Sequence, residues 1–298
     1  MKDINEQLSN RAESKIKSNY KSYKGLKSND YSHLICTSSC DRGVQRNGGR
    51  LGARFAPKTI LYELGKLETP SKMKPIFISE VCSPNKEESF KELQELQFKK
   101  ITKVLNDNYR KIVQIGGGHD HIFPFLRAME KSEPEQKLII INIDAHTDTR
   151  NDELPHSGTP FRQFGETSRC EFDLIQLGVR SATNNKNNYL PLKNGQMHCL
   201  SFHTQKDIVE AKKLIESLKS EKTTMILSID CDGIDQTDLP AVSAPNPFGT
   251  PFPMLLEFIN AIKDDVKYLG VYELNPLLES HSNHSSKKIA WLLYNYLV

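Results

Sequence analysis

The chain has 298 residues, 26% of them charged, and 40 Lys and Arg stand against 37 Asp and Glu for a net charge of +3. That near-balance, with no dense basic run, argues against a nucleic-acid partner. No apolar run approaches the roughly 18 residues of a membrane span, and residues 1–28 are too polar for a secretion signal, so a cytoplasmic location is expected.

Residues 1–29 read as a lysine-rich lead-in, and residues 30–298 as one domain, a routine size for a large α/β fold. Within that domain an apolar run at 32–37 precedes a Gly/Arg-rich loop and a helix over 57–66. A run at 75–81 leads to a helix over 85–106, where Phe90, Leu93, Leu96, Ile101 and Val104 fall on one face. Further strand runs lie near 111–116, 137–143, 173–179, 197–202, 224–231 and 267–273, with helices over 120–131, 205–219, 252–264 and 285–297. This alternation predicts a central, mostly parallel sheet of about eight strands with helices on both faces. Six dispersed cysteines, with only Cys36 and Cys40 close together and no CxxC pair, predict no disulfide framework.

Three acid- and histidine-rich clusters sit at the ends of strand runs: Gly116-Gly117-Gly118-His119-Asp120, Asp144-Ala145-His146-Thr147-Asp148 and Asp230-Cys231-Asp232-Gly233-Ile234-Asp235. Strand parity sends Asp144, His146 and Asp148 to one side, pairs Asp230 with Asp232, and turns Cys231 toward the core. Parallel sheets place ligands beyond the carboxyl ends of their strands, where all three clusters fall. Four carboxylates and two imidazoles aimed at one point repel unless cations lie among them, and such a donor set suits manganese-like ions over thiolate-seeking ones. Two ions about 3.5–4 Å apart can share and acidify one water. The glycines before His119 lack the Lys-Ser/Thr of a phosphate loop and read as a tight strand exit. No GxSxG elbow is present.

The blocks GGGHD, DAHTD, SIDCDGID and Glu273-Leu274-Asn275-Pro276 resemble the signature blocks of the ureohydrolase family (arginases, agmatinases, formimidoylglutamases), in the family's order, over about residues 31–298. The resemblance implies an arginase-type α/β fold, with residues 30–298 as the catalytic domain, and two Mn2+ ions per subunit. One ion would be held by His119, Asp144, Asp148 and Asp230, the other by Asp144, His146, Asp230 and Asp232. Asp148 would accept a hydrogen bond from a bridging hydroxide and later protonate the leaving amine, and Glu273 would grip the substrate's cationic C–N group. Relatives are commonly oligomeric; the sequence leaves this chain's state open.

Local features favour the formimidoylglutamase branch. The loop from Gly43 to Ala53 contains Arg46 and Arg50; Arg150 gives DAHTDTR; and Ser157-Gly158-Thr159-Pro160-Phe161-Arg162-Gln163 matches that branch's SGTPFRQ form. After Arg180 the chain reads Ser181-Ala182-Thr183-Asn184-Asn185, without the acids by which arginases hold an α-amino group. Arginine forks suit carboxylates. Arg46, Arg150, Ser157, Gly158 and Arg162 are therefore expected to bind substrate, and the reaction to be hydrolysis of N-formimidoyl-L-glutamate to L-glutamate and formamide in histidine degradation. A guanidino acid, as for a guanidinobutyrase or arginase, is the alternative substrate, and a non-catalytic metal-binding protein the alternative class. His156 reads as a loop histidine rather than a proton shuttle. Asp120 and His121 read as partners of the ligands or helix-start residues, and Asp235 is a candidate to orient the second aspartate cluster.

Overall fold

The aliphatic runs become eight strands of one sheet: β1 His33–Ser38, β2 Ile76–Cys82, β3 Lys111–Ile115, β4 Lys137–Ile143, β5 Phe172–Leu177, β6 Gly195–Leu200, β7 Thr223–Asp230 and β8 Val266–Tyr272. The computed structural model describes residues 31–68, 70, 76–83, 88–105, 108–279 and 282–298. The lead-in over 1–29, residue 75 of the second expected strand, and residues 85–87 and 106 of the longest expected helix lie outside them. The strand order is β2-β1-β3-β8-β7-β4-β5-β6, and every named pairing is parallel rather than mostly so.

The helices are α1 Arg42–Arg46, α2 Ala56–Leu64, α3 Phe90–Val104, α4 Ile122–Ser132, α5 Pro160–Thr167, α6 Gln205–Leu218, α7 Phe252–Ile262 and α8 His284–Leu297. Both faces of the sheet are covered, which is why its strands read as continuous apolar runs instead of alternating ones. Ile139, Ile141 and Ile143 of β4 pack with α2, α6, α7 and α8, while Leu138 and Ile140 pack on the opposite face with α3, α4 and α5. In α3, Phe90, Leu93 and Ile101 are buried as the periodicity predicts, but Leu96 is exposed, and Gln94 and Gln97 are buried in polar contacts. Ser89 and Glu92 cap that helix reciprocally. The sequence reading missed α1 and α5, both too short for their periodicity to register.

What the topology does for function is specific. The acid- and histidine-bearing segments follow β3, β4, β7 and β8, and those four strands are neighbours at the middle of the sheet. Segments more than 150 residues apart, such as His119 and Glu273, therefore meet at one end of it.

Candidate metal centre and binding cavity

Strand β3 ends at Ile115 and the three glycines turn the chain into a short 3-10 turn, His119–His121. Gly117 must be glycine: an added Cβ would lie 1.8 Å from the Cys40 carbonyl oxygen. Strand β4 stops at Ile143, so strand parity does not aim Asp144, His146 and Asp148. The loop does. Asp144 Oδ1 accepts from the His146 N–H at 2.7 Å, and Asp148 has φ +50°, a left-handed conformation that L side chains avoid. Asp230 closes β7, and a 3-10 turn, Cys231–Gly233, returns Asp232 beside it. Cys231 is buried in the core, as expected, but on this turn.

These side chains meet. His119 Nδ1 lies 2.8 Å from Asp148 Oδ2, 3.0 Å from Asp230 Oδ2 and 3.3 Å from Asp144 Oδ2. His146 Nδ1 lies 3.5 Å from Asp144 Oδ1 and 3.5 Å from Asp232 Oδ1. Two donor groups result, His119/Asp144/Asp148/Asp230 and Asp144/His146/Asp232, sharing Asp144. Yet His119 Nδ1 and Asp232 Oδ1 are buried with no satisfying hydrogen bond among the described residues. A knot of lone pairs in the interior costs several kcal/mol per uncompensated charge. It fits hard or borderline divalent cations, and the shared aspartate fits two of them side by side.

Proton affinities respond to this crowding. Burial opposes a charge on His119, but three carboxylates outweigh it and raise its pKa well above the usual histidine range. Burial, then Asp144, raises Asp148 to about 6. Burial, then Asp232, raises Asp230 well above the carboxylate range. Glu273, directly after β8, is raised to about 8 by burial, with Asp232 and Asp120 adding to it. Its Oε1 accepts from the His119 N–H at 2.9 Å, its own N–H donates to the Gly117 carbonyl at 2.8 Å, and its φ is +63°. Asp148 and Glu273, the two acids assigned to chemistry from sequence, are thus both held in a strained backbone conformation, as active-site residues often are.

Beneath the centre runs a polar row that the sequence reading did not pick out. Gln114, Ser228, Asn142 and Gln176 lie in register across β3, β7, β4 and β5, with Gly270 of β8 completing the row. Ser228 Oγ lies 2.8 Å from His119 Nε2, which leaves Nδ1 for the carboxylates. Asn142 Nδ2 donates to Asp144 Oδ2 at 3.2 Å and to Gln176 Oε1, and Gln176 holds the Thr147 carbonyl. Gln114 accepts from Tyr272, whose ring stacks on His119 at 4.9 Å. The signal was present: each residue is a polar intruder one position before the end of an aliphatic run.

Above the centre opens a cavity of about 420 Å³ lined by His146, Asp148, Asp230, Asp232 and Glu273 below, and by Asn47, Arg50, Arg150, Ser157, Gly158, Asn184 and Asn188 around its mouth. Arg150 donates to Asn47 Oδ1 at 2.6 Å and pairs with Asp152 at 2.6 Å, its side chain 45% exposed. Asn47 in turn donates to Ser157 Oγ. Arg50 spans the Val242 and Ser243 carbonyls. Two expected substrate-binding residues are elsewhere. Arg46 stacks on Phe90 at 4.6 Å, on a different groove. Arg162 is buried with its guanidinium spent on the Thr149, Leu190 and Pro191 carbonyls. His156 accepts from the Gly158 N–H through Nδ1 and bonds Asp152 through Nε2, so both nitrogens serve the loop. Asp235 caps its own turn through Thr237 and does not orient the aspartates. Asn184, named in sequence only for the acids missing around it, accepts from the Thr147 N–H and so pins the metal-facing loop.

Comparison with known proteins agrees with this architecture. The family model described as "Arginase family" matches residues 34–298. The formimidoylglutamase of Staphylococcus carnosus is 30% identical over 269 residues, covering 86% of this chain and 83% of its own. That of Photorhabdus laumondii is 29% identical over 286 residues, 90% of this chain and 87% of its own. Among solved structures, the formiminoglutamase of Trypanosoma cruzi with Mn2+ superposes with a TM-score of 0.76 at 23% identity, over 92% of this chain and 95% of that one. The formimidoylglutamase of Bacillus subtilis gives 0.77 at 22% identity, over 92% and 88%. At those identities the structures speak for the fold.

Proposed function

Because the chain belongs to the arginase family, we propose that it is a formimidoylglutamase, hydrolysing N-formimidoyl-L-glutamate to L-glutamate and formamide with two Mn2+ ions. The observation that carries this reading is the polarity of one cavity, with carboxylates at its floor and Arg150 at its mouth. The substrate has the matching polarity, a cationic amidine at one end and two carboxylates at the other. The names of the curated relatives point the same way.

His119, Asp144, Asp148 and Asp230 would hold one ion, and Asp144, His146, Asp230 and Asp232 the other; when bound, the pair would supply a water acidic enough to add to the formimino carbon near neutral pH. Asp148, a carboxylate on the cavity floor beside both the ligand set and Glu273, is placed to take a proton from that water and pass it to the departing glutamate nitrogen. The C–N bond to glutamate breaks as the carbon gains oxygen, leaving formamide and a free amine. Glu273 is held against the His119 N–H, and an amidinium beside it draws it back to the carboxylate form. Arg150 then meets a substrate carboxylate, with Asn47 and Asp152 fixing its fork.

The deciding experiment offers manganese-loaded protein N-formimidoyl-glutamate, arginine, agmatine and 4-guanidinobutyrate in parallel. Formamide and glutamate from the first alone are expected. Urea from a guanidino acid would replace the substrate assignment, and no turnover on any of the four by fully loaded protein would refute the enzymatic reading.

A further inference from the structure

On the far side of the His119–His121 turn lies a second cluster with a different donor chemistry. Cys40, Cys82 and His121 present two sulfurs and a ring nitrogen, all within 4.8 Å of one another. All three residues are buried, at 1%, 2% and 1% exposure. They come from three segments. Cys40 follows β1, Cys82 ends the neighbouring β2, and His121 closes the turn. The backbone ties them together: the Ser39 N–H donates to the Cys82 carbonyl and the Gly118 N–H to the Cys40 carbonyl.

We propose that Cys40, Cys82 and His121 form a separate metal site that takes a thiolate-seeking divalent cation of the zinc class. Two sulfurs and an imidazole select borderline-soft ions, in contrast to the oxygen-rich centre next door. His121 has the outer partner such a ligand needs. Its Nδ1 donates to Gln97 Oε1 at 2.6 Å, which fixes the ring, and its Nε2 donates to the Cys40 carbonyl at 3.0 Å, a hydrogen bond whose proton the cation would replace. Asp120 stands beside the cluster, its Oδ2 4.0 Å from His121 Nε2, while its Oδ1, on the side of Gly43 and Gly118, is buried with no hydrogen-bond partner among the described residues. Gly43 and Gly118 both crowd that oxygen so closely that a Cβ would lie 1.9 Å and 2.4 Å from it, so the pocket is built around the carboxylate. A cation here would clamp the Cys40 carbonyl against Gly117 and Gly118, and so stiffen the loop carrying His119 and supporting Glu273.

The test uses the reduced full chain, loaded with Mn2+ and then titrated with Co2+. Cobalt entering the oxygen and nitrogen centre gives no sulfur charge-transfer absorption, whereas cobalt at Cys40 and Cys82 gives a strong near-ultraviolet band. One equivalent of cobalt per chain should saturate that band. Cys40→Ser and Cys82→Ser should each abolish it, while Cys199→Ser, which alters an exposed thiol, and Asp232→Asn should leave it intact. Should either serine variant at Cys40 or Cys82 fail to fold, cadmium NMR of the unsubstituted chain decides, since sulfur-bound cadmium resonates far from oxygen-bound cadmium. A wild-type chain that takes up cobalt or cadmium with no sulfur signature overturns the proposal, as does a band that survives in a folded Cys82→Ser variant.

Discussion

At the floor of the cavity the polar side chains hang from the ends of four adjacent strands and are backed by the in-register row of Gln114, Ser228, Asn142 and Gln176. At the mouth, Arg150 reaches across from one loop to Asn47 on another and shares its charge with Asp152. The floor is fixed by sheet register and pressed into an unfavourable collection of lone pairs. The mouth is adjustable and internally neutralised. The difference teaches where each kind of function belongs: chemistry needing fixed geometry sits on the strands, and discrimination among substrates sits on loops that can be re-sequenced without disturbing the sheet.

The contrast is broken most severely at the floor. Asp230→Ala removes a carboxylate common to both expected ligand sets, and kcat/KM should fall on the order of 10³-fold or more, a loss of the size seen when one preorganised electrostatic contact is removed. Metal analysis should show fewer than two ions per chain. Near-wild-type turnover with two ions retained would mean that Asp230 is structural.

Ser228→Ala tests whether the row beneath the floor matters to the floor. It leaves every direct donor in place but frees His119 Nε2. Partners of metal-binding histidines typically contribute about 10–100-fold in metal affinity, and a shift within that range is expected in a competitive chelator titration. Unchanged affinity would make the serine a packing residue only.

At the mouth, Arg150→Ala should raise KM about 10-fold with kcat nearly constant. A hydrogen bond to a charged group contributes roughly 1.5–3 kcal/mol, and Asp152 already takes part of this arginine's charge, so the lower end applies. Arg46→Ala, on a residue that faces another groove, should leave KM alone. If both variants behave alike, the mouth does not read the substrate's carboxylates.

How much of this was legible depends on what kind of physics each residue expresses. The sheet and its eight strands announce themselves because a doubly covered strand must be a continuous apolar run, and the acid clusters because acids at strand ends are conspicuous. The partners of Arg46 and Arg162 are not legible in sequence, since a guanidinium's partner is a matter of three-dimensional proximity: Phe90 in one case, three carbonyl oxygens in the other. Cys40 and Cys82 stand 42 positions apart, and only the β1–β2 pairing, with its irregular step between Thr37 and Ser38, brings them together. The polar row was readable in principle, but only once the register is known does a lone Ser228 or Asn142 become part of a line.

The mildest test separates floor from mouth by pH, in the protein stripped of metal. On the floor, burial lifts Asp148 to about 6 and Glu273 to about 8, while neighbouring carboxylates lift His146 above the usual histidine range. Each of these groups keeps its proton in the folded chain at a pH where the unfolded chain has lost it. For Asp148 and Glu273 the stabilising effect is complete at low pH and is lost as pH rises through about 6 and about 8 respectively, and for His146 it begins to fall only above the ordinary histidine pKa of 6.5. At the mouth, His156 has the opposite sign. Burial lowers its pKa from 6.5, so its contribution is present above 6.5 and is lost as pH falls. Floor groups outnumber it, and the melting temperature of the metal-free chain should decline by a few degrees between about pH 6 and about pH 8. Metal ligands must be deprotonated, so binding a divalent ion expels the protons of Asp148 and His146 and reverses their slope. The gap between the metal-loaded and metal-free melting temperatures should therefore widen as pH rises. Parallel curves across that range would mean that the floor does not bind metal through these acids, whatever the mouth does.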